Sequence, residues 1–226
     1  MSFVCEITDT SLTKLICAIE NNSRVQNMGR DGHHKHEQFT IIHKDYGHGA
    51  RSKVSIIKRK SDGKLFIWKQ PLLDDAWHHE SLEKEIKYAK YWRKFGVGDI
   101  EACWCRDGRS LLKTYIGGDT LDQTLEKNPR FFSEKSRSLK ALRELIGFLI
   151  DSKHYVSDLN GENLIFDGRR WHIIDSGSIY YRGSRSKVKH EYKGSLLRRW
   201  SKGLSEQEIN SLKLFLDSVE SLRRME

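Results

Sequence analysis

The chain has 226 residues, of which 37% are hydrophobic and 31% are charged, and its formal net charge is +9. These values suit one domain, or one domain built from two small lobes, and they exclude disordered, collagen-like and fibrous proteins. The apolar runs are short, and the N-terminus lacks a basic segment followed by an apolar one, so we expect no membrane span and no secretory signal. Four cysteines are too few for a disulfide scaffold, which favours a cytoplasmic protein, with export to a host cell as the alternative.

The excess of positive charge favours acidic partners such as phosphates, nucleic acid or anionic lipid. The basic residues are nevertheless interleaved with carboxylates, apart from two short clusters at 182–193 and 197–202, and a soluble basic surface explains most of this pattern. The stretch 182–190 is predicted to be a solvated loop, or alternatively a docking site for an acidic or phosphorylated substrate. Because basic stripes interleaved with aromatic residues are missing, we expect no specific binding of nucleic acid.

Apolar periodicity predicts a strand-rich first half after an N-terminal extension. The extension covers residues 1–38 and combines a helical pattern with a polar, His-rich stretch. β-Branched and aromatic runs separated by Gly-containing turns are typical of antiparallel strands. Such runs occupy residues 39–42, 53–57, 65–68, 100–105 and 110–115. A charged amphipathic helix is predicted at 79–95, between the third and fourth of these strands.

The second half is predicted to be richer in helix. Its elements are helices at 133–151 and 205–224 and short strands at 163–166 and 171–174. Ser205 and Glu208 have the spacing of a capping box at the start of the second helix. A strand-rich half followed by a helix-rich half is typical of an α+β fold.

Two features of the first half can bind phosphate, and a third can hold one of them in place. Gly47 and Gly49 flank a single residue in a turn between two strands, where backbone N–H groups can approach phosphate oxygens. Lys69 ends an apolar strand, where an amine is poorly hydrated and needs an anion. Glu85 lies on the following helix, in a position to pair with this lysine. The simpler alternatives are a plain hairpin turn and a surface lysine.

The second half carries carboxylate and amide groups beside two predicted strands. Asp158 and Asn163 are five residues apart in a loop between a helix and a strand, and Asp175 ends a later apolar strand. A carboxylate that holds a hydroxyl, with a carboxamide and a second carboxylate for Mg²⁺, is the set that phosphoryl transfer requires. The alternative is a group of ordinary turn-forming residues.

Taken in their order along the chain, these residues resemble the motifs of the protein-kinase superfamily, from about residue 40 to the end of the chain. The resemblance implies a bilobal protein-kinase-like fold, with a strand-rich N-lobe at 39–115 and a truncated helical C-lobe at 116–226. It also implies ATP and Mg²⁺ as cofactors. The residues that match nucleotide-binding positions are Gly47, Gly49, Ser52, Val54, Lys69, Glu85 and Tyr115. Those that match catalytic positions are Asp158 and Lys69, and those that match metal ligands are Asn163 and Asp175.

Several positions depart from the kinase pattern. Val156 and Ser157 replace the His and Arg of the H-R-D motif, and Ser176 replaces the Phe of D-F-G. Asn160 stands where Ser/Thr protein kinases usually carry Lys. No A-P-E motif follows Asp175, so the helical lobe is expected to lack much of the usual peptide-docking surface. A reduced plan of this kind is similar to that of small bacterial kinases, namely translocated effector kinases and lipopolysaccharide-core sugar kinases.

The resemblance predicts an ATP-dependent phosphotransferase that acts on a hydroxyl group. The first choice of acceptor is a protein Ser/Thr hydroxyl, and the second is a heptose or Kdo sugar of a lipopolysaccharide core. A third reading is a pseudokinase that binds a partner and transfers no phosphate, which the altered H-R-D and D-F-G motifs favour.

Overall fold

The computed structural model describes residues 39–48, 52–94, 100–105 and 108–219. The predicted extension at 1–38 lies outside them. The described residues form an α+β structure, as the sequence predicts, and divide into two compact units. Unit 1 holds the described residues as far as Lys90 together with Glu101–Tyr115, and unit 2 holds Tyr91–Ile100 and the chain from Ile116 onward.

Unit 1 contains an antiparallel sheet of five strands, ordered β1-β2-β3-β5-β4, and most of helix α1. The strands are β1 (Phe39–His48), β2 (Ser52–Arg59), β3 (Leu65–Pro71), β4 (Ala102–Trp104) and β5 (Leu111–Thr114). Helix α1 extends over Ala76–Lys94. The β-branched and aromatic residues of these runs favour a pleated, half-buried backbone, which is why a strand forms at each predicted run. The first strand was predicted too short, because β1 continues through Gly47 to His48 and pairs there with β2.

The two faces of this sheet differ in chemistry. Because successive side chains of a strand point to opposite faces, Phe66 and Trp68 lie on one face while Lys69 lies on the other. The first face carries an apolar cluster whose members are Phe39, Ile57, Phe66, Trp68, Cys103, Cys105 and Leu112. On the second face, the charged side chain of Lys69 is buried.

Unit 2 contains four α-helices, two short 3₁₀ helices (Phe131–Ser133 and Gly161–Asn163) and two small antiparallel sheets among its described residues. The helices are α2 (Leu121–Lys127), α3 (Arg137–Asp151), α4 (Arg185–Trp200) and α5 (Glu206–Ser218). One sheet has the order β6-β8-β9, formed by Asp119–Thr120, Leu164–Phe166 and Trp171–Ile173, and the other pairs β7 (His154–Val156) with β10 (Ile179–Tyr181). Within the part of the chain that the structure describes, no helix is long and apolar enough to cross a bilayer.

Helix α4 starts at Arg185, so the prediction of a solvated loop at 182–190 was wrong. The basic residues of this stretch obscure an apolar repeat that continues beyond it. Val188, Tyr192, Leu196 and Trp200 follow one another at intervals of four, and all are almost completely buried. Since four residues are slightly more than one helical turn, these side chains form a continuous buried stripe.

Serine side chains cap helices α3 and α5. Ser136 Oγ accepts a hydrogen bond from the Leu139 N–H at 3.0 Å. Ser205 Oγ accepts one from the Glu208 N–H, and Glu208 Oε2 accepts one from the Ser205 N–H, so the capping box predicted from the sequence is confirmed. A cap supplies an acceptor to N–H groups that lack a partner within the helix, and it contributes about 1 kcal/mol.

Gly118 lies where the chain enters β6, with a φ of +139°. The carbonyl group of Phe166, at the end of β8, occupies the space that a Cβ at this position would need. Only glycine avoids both the unfavourable φ and this overlap, so Gly118 fixes how closely the chain approaches the β8–β9 hairpin.

Candidate functional site

Three buried charged side chains meet in unit 1. Lys69 Nζ donates a hydrogen bond to Glu85 Oε2 at 2.9 Å, and Lys113 Nζ donates one to Glu85 Oε1. The side chains of Lys69, Glu85 and Lys113 are 6%, 5% and 4% exposed, respectively. Each carboxylate oxygen of Glu85 therefore binds a different lysine. An ammonium group has three N–H donors, so Lys69 can bind Glu85 and a phosphate oxygen at the same time.

Lys113 was not singled out from the sequence as a site residue. In the pairing of β3 with β5, Ile67 lies opposite Lys113 and Lys69 lies opposite Leu111. The two lysines therefore project from the same face of the sheet, on neighbouring strands. The sequence did contain a signal for a buried lysine at this position. Lys113 follows two leucines within a predicted strand, just as Lys69 follows an apolar run.

The predicted glycine-rich loop lies between β1 and β2. Gly47 belongs to β1 and pairs with Val54 of β2, whereas Gly49 lies outside the described residues. Ser52 starts β2 and is buried, and Val54 lies opposite Lys69 in the register of β2 with β3. The structure thus places Val54 and Lys69 side by side on adjacent strands.

Tyr115, which the kinase resemblance matches to a nucleotide-binding position, is the last residue of unit 1. Its backbone N–H donates to the Leu65 carbonyl at 3.3 Å. The segment that follows β5 is therefore attached to the start of β3, and the side chain of Tyr115 is half-buried.

Asp158, Asn160 and Asn163 lie together in the loop between β7 and β8 of unit 2. Asn160 Nδ2 donates to Asp158 Oδ1 at 2.6 Å, and Asn163 Nδ2 donates to the Asp158 backbone carbonyl at 2.9 Å. Asn163 Nδ2 also lies 3.4 Å from Asp158 Oδ2. Because these contacts fix the amide nitrogen of Asn163, its carbonyl oxygen is the atom of that side chain suited to a cation.

Asp175 lies just after β9, at the same end of the β8–β9 hairpin as Asn163. The Ile174 N–H donates to the Asn163 backbone carbonyl at 2.9 Å, which joins one candidate ligand to the residue that precedes the other. Asp175 Oδ1 accepts a hydrogen bond from the Gly177 N–H at 3.1 Å. The antiparallel pairing of β8 with β9 therefore brings the carboxylate and the carboxamide to one edge of unit 2.

Asp122, in the first turn of α2, contacts the same loop from another element. Its carboxylate occupies the space in which a side chain at position 161 would begin, and it accepts a hydrogen bond from the Glu162 N–H. Burial, followed by the negative charges of Glu162 and Glu126, raises the pKa of the Asp122 carboxyl. No sequence pattern pointed to this contact, because the contacting residues are far apart along the chain.

The turn between β8 and β9 is stabilised by Asp167. Its carboxylate accepts hydrogen bonds from the N–H groups of Arg169 at 2.7 Å and Arg170 at 2.8 Å, and Oδ2 lies 2.9 Å from Nε2 of the buried His172. Burial raises the pKa of Asp167, but the hydrogen bonds from Arg170, His172 and Arg169 outweigh it and lower the pKa from 3.8 to about 2.

This lowered pKa predicts an acid-dependent contribution to stability. A carboxyl whose pKa is lower in the folded state stabilises the fold above its unfolded pKa, and the contribution disappears as the pH falls through the folded pKa. We expect Asp167→Asn to lower the Tm by about 2–4 °C above pH 5, with a difference that shrinks between pH 4 and pH 2. Thermal unfolding of both proteins across this pH range measures it, and a difference that stays constant down to pH 2 would contradict the assignment.

The donors at the edge of unit 2 suit Mg²⁺ better than a transition metal. Among the described residues, no group of three or more His, Cys, Asp or Glu side chains is arranged to hold a metal ion. Carboxylate and carboxamide oxygens are hard ligands, and Mg²⁺ is usually bound by one or two carboxylates together with substrate phosphates. Asn163 and Asp175 fit such a shared site.

The chain matches no family model. Among curated proteins it is similar to a probable casein kinase I homolog from Encephalitozoon cuniculi (strain GB-M1). The two chains are 26% identical over 156 residues, which cover 66% of this chain and 49% of the relative. The matched region thus covers about half the length of that relative. This similarity indicates a protein-kinase-like relationship.

Proposed function

We propose that the protein is an ATP-dependent phosphotransferase that moves the γ-phosphate of Mg·ATP to a hydroxyl group. The observation that carries the proposal is the buried pair of Lys69 and Glu85, 2.9 Å apart, on the strand and helix where the kinase resemblance requires them. The similarity to a casein kinase I homolog supports the same class. The proposal includes a bilobal protein-kinase-like fold, with an N-lobe at 39–115 and a helical C-lobe at 116–226.

Unit 1 would bind the nucleotide. Lys69, held by Glu85, would bind the α- and β-phosphates through its ammonium group. Backbone N–H groups between Gly47 and Ser52, with Gly49 in their centre, would cover the β- and γ-phosphates. Val54 and Tyr115 would contact the base and the sugar of ATP.

Unit 2 would carry out the transfer. Asn163 and Asp175 would hold Mg²⁺, which when bound neutralises negative charge on the transferred phosphoryl group. Asp158 would orient the acceptor hydroxyl and accept its proton as the oxygen bonds to the γ-phosphorus. The bond from the γ-phosphorus to its bridging oxygen breaks in the same step, and ADP leaves. Since the protein forms no covalent intermediate, positioning supplies most of the acceleration.

The preferred acceptor is a protein Ser/Thr hydroxyl, and a core sugar is the second candidate. The description of the relative as a casein kinase I homolog favours protein. Asn160, which replaces the Lys of Ser/Thr protein kinases, favours a sugar. The short connection from Tyr181 at the end of β10 to Arg185 at the start of α4 also favours a sugar, because it leaves little chain for docking a peptide.

Transfer of label from [γ-³²P]ATP tests the function and the acceptor together. We expect label in dephosphorylated casein if the acceptor is protein, and label in a lipopolysaccharide-core preparation if the acceptor is a sugar. The matched control is Asp158→Asn, which retains the shape of the side chain but cannot accept the proton. If neither acceptor takes more label from the wild-type protein than from the control, the proposal fails.

A pseudokinase would give a different pair of results. Val156, Ser157 and Ser176 stand where kinases carry H-R and the Phe of D-F-G, which is the observation in favour of this alternative. Mg·ATP that binds the native state raises the Tm in proportion to the logarithm of its concentration. A concentration-dependent rise in Tm without formation of ADP would identify a pseudokinase.

A further inference from the structure

Tyr192 of helix α4 binds the residues that precede Asp158 in its loop. The hydroxyl of Tyr192 accepts a hydrogen bond from the Val156 N–H at 2.9 Å and donates one to the His154 carbonyl at 3.2 Å. Tyr192 is 1% exposed. Burial raises its pKa far above the usual value, so the hydroxyl keeps its proton and acts as donor and acceptor together.

The same helix holds the other side of the loop through Trp200. Its Nε1–H donates to the Leu159 carbonyl at 3.1 Å, and Leu159 follows Asp158 directly. Trp200 is also 1% exposed. Its ring stacks against Phe132, with centroids 6.2 Å apart and planes inclined by 11°, so the orientation of the indole is fixed by packing.

The two side chains of α4 bind the two ends of a segment of four residues, because Tyr192 bonds to Val156 and Trp200 bonds to Leu159. The two intervening residues are also bonded through their backbone, because the Ser157 N–H donates to Ser178 and the Asp158 carbonyl accepts from Asn163. Four consecutive residues, 156–159, thus each have a backbone group in a hydrogen bond.

We propose that α4 sets the position of the Asp158 carboxylate, with Tyr192 and Trp200 as positioning residues. This inference rests on the proposed function, in which Asp158 must meet an acceptor hydroxyl. A displacement of about 1 Å in a catalytic group can lower the rate about a hundredfold. A catalytic side chain keeps its position only when the residues around it are fixed by packing and hydrogen bonds. Tyr192 binds the backbone of Val156 and not its side chain. The loop can therefore be held in place without the His and Arg side chains that Val156 and Ser157 replace.

A pair of tryptophan variants separates positioning from ordinary core packing. Trp171 is a matched control, since it too is 1% exposed and its Nε1–H donates to a carbonyl, that of Ser138, at 2.8 Å. Trp200→Phe and Trp171→Phe therefore each remove one indole N–H bond to a backbone carbonyl and the same ring volume. We expect Trp200→Phe to lower kcat by about 10- to 100-fold with the KM for ATP within about twofold. Trp171→Phe should lower the Tm to a similar extent and change kcat by less than about twofold.

A second variant provides a measurement that does not depend on turnover. Tyr192→Phe keeps the ring but removes the acceptor of the Val156 N–H, so we expect hydrogen exchange at the Val156 amide to accelerate by about tenfold. Exchange at this amide should be unchanged in Trp171→Phe. Tyr192→Phe should also lower kcat without raising the KM for ATP.

The outcomes distinguish this inference from the proposed function. ADP formation is measured with whichever of casein or the lipopolysaccharide-core preparation takes label. Equal losses of kcat in Trp200→Phe and Trp171→Phe, or a rise in KM in place of the fall in kcat, would overturn the positioning role. If the wild-type protein forms no ADP, the proposed function fails, and unchanged exchange at Val156 in Tyr192→Phe would then overturn the inference independently.

Discussion

Asp158→Ala is expected to lower phosphate transfer by roughly 10²–10⁴-fold while it leaves the Kd for Mg·ATP within about twofold. The reason is that Asp158 is assigned to the acceptor hydroxyl, whereas nucleotide and metal are assigned to Lys69, Asn163 and Asp175. Loss of Asp158 therefore removes an interaction that the proposed chemistry needs, and it leaves the nucleotide-binding groups in place. Initial rates with labelled ATP give the first quantity, and calorimetric titration with Mg·ATP gives the second.

The control for this experiment is an exposed carboxylate of the same unit. Asp217 lies on α5, and its Oδ1 pairs with Lys193 Nζ at 2.5 Å on the surface. Asp217→Ala should transfer phosphate at the wild-type rate. Full activity in Asp158→Ala, or an equal loss in both variants, would show that Asp158 does not act on the acceptor.

Glu85→Gln is expected to be more destabilising than the removal of either lysine that Glu85 binds. Glu85 binds Lys69 and Lys113 with its two oxygens, so its loss leaves two buried ammonium groups facing a neutral amide. Removal of one partner from a buried ion pair costs about 3–5 kcal/mol of the free energy of unfolding. For a chain of this length, that change lowers the Tm by roughly 10 °C.

The lysine variants provide the comparison. Lys69→Met and Lys113→Met each leave Glu85 paired with the other lysine, so each should lower the free energy of unfolding by less than Glu85→Gln. The two should differ in function, because Lys69→Met is expected to weaken Mg·ATP binding more than Lys113→Met. Denaturant unfolding and calorimetric titration of the three variants measure both effects. If Glu85→Gln were as stable as Lys113→Met, the shared carboxylate would not be the link that stabilises this cluster.

The sequence predicted those contacts that depend on neighbouring elements. A lysine in β3 and a glutamate on the next helix belong to elements connected by a short segment, so their pairing follows from strand and helix periodicity alone. Lys113 could not be joined to the same carboxylate in this way. Its place depends on the order of strands in the sheet, in which β5, and not β4, lies beside β3.

Contacts in unit 2 were harder to predict for related reasons. The spacing of Asp158 and Asn163 identified the loop, and the Ser205 cap identified the start of α5. The bonds from Tyr192 and Trp200 to that loop join residues about forty positions apart, and they lie on a helix whose basic surface resembled a solvated loop. Sequence patterns report which side chains are buried, but not which distant carbonyl a buried hydroxyl or indole meets.

The close approach at Gly118 has a consequence for finding related proteins. The overlap there involves the backbone carbonyl of Phe166 and not a mobile side chain, so no rotamer change can make room for an alanine. A distant homologue that keeps this chain path must carry glycine at the equivalent position, whatever its acceptor. Gly118 therefore gives a search criterion that is independent of the residues assigned to chemistry and that also applies to members that have lost activity.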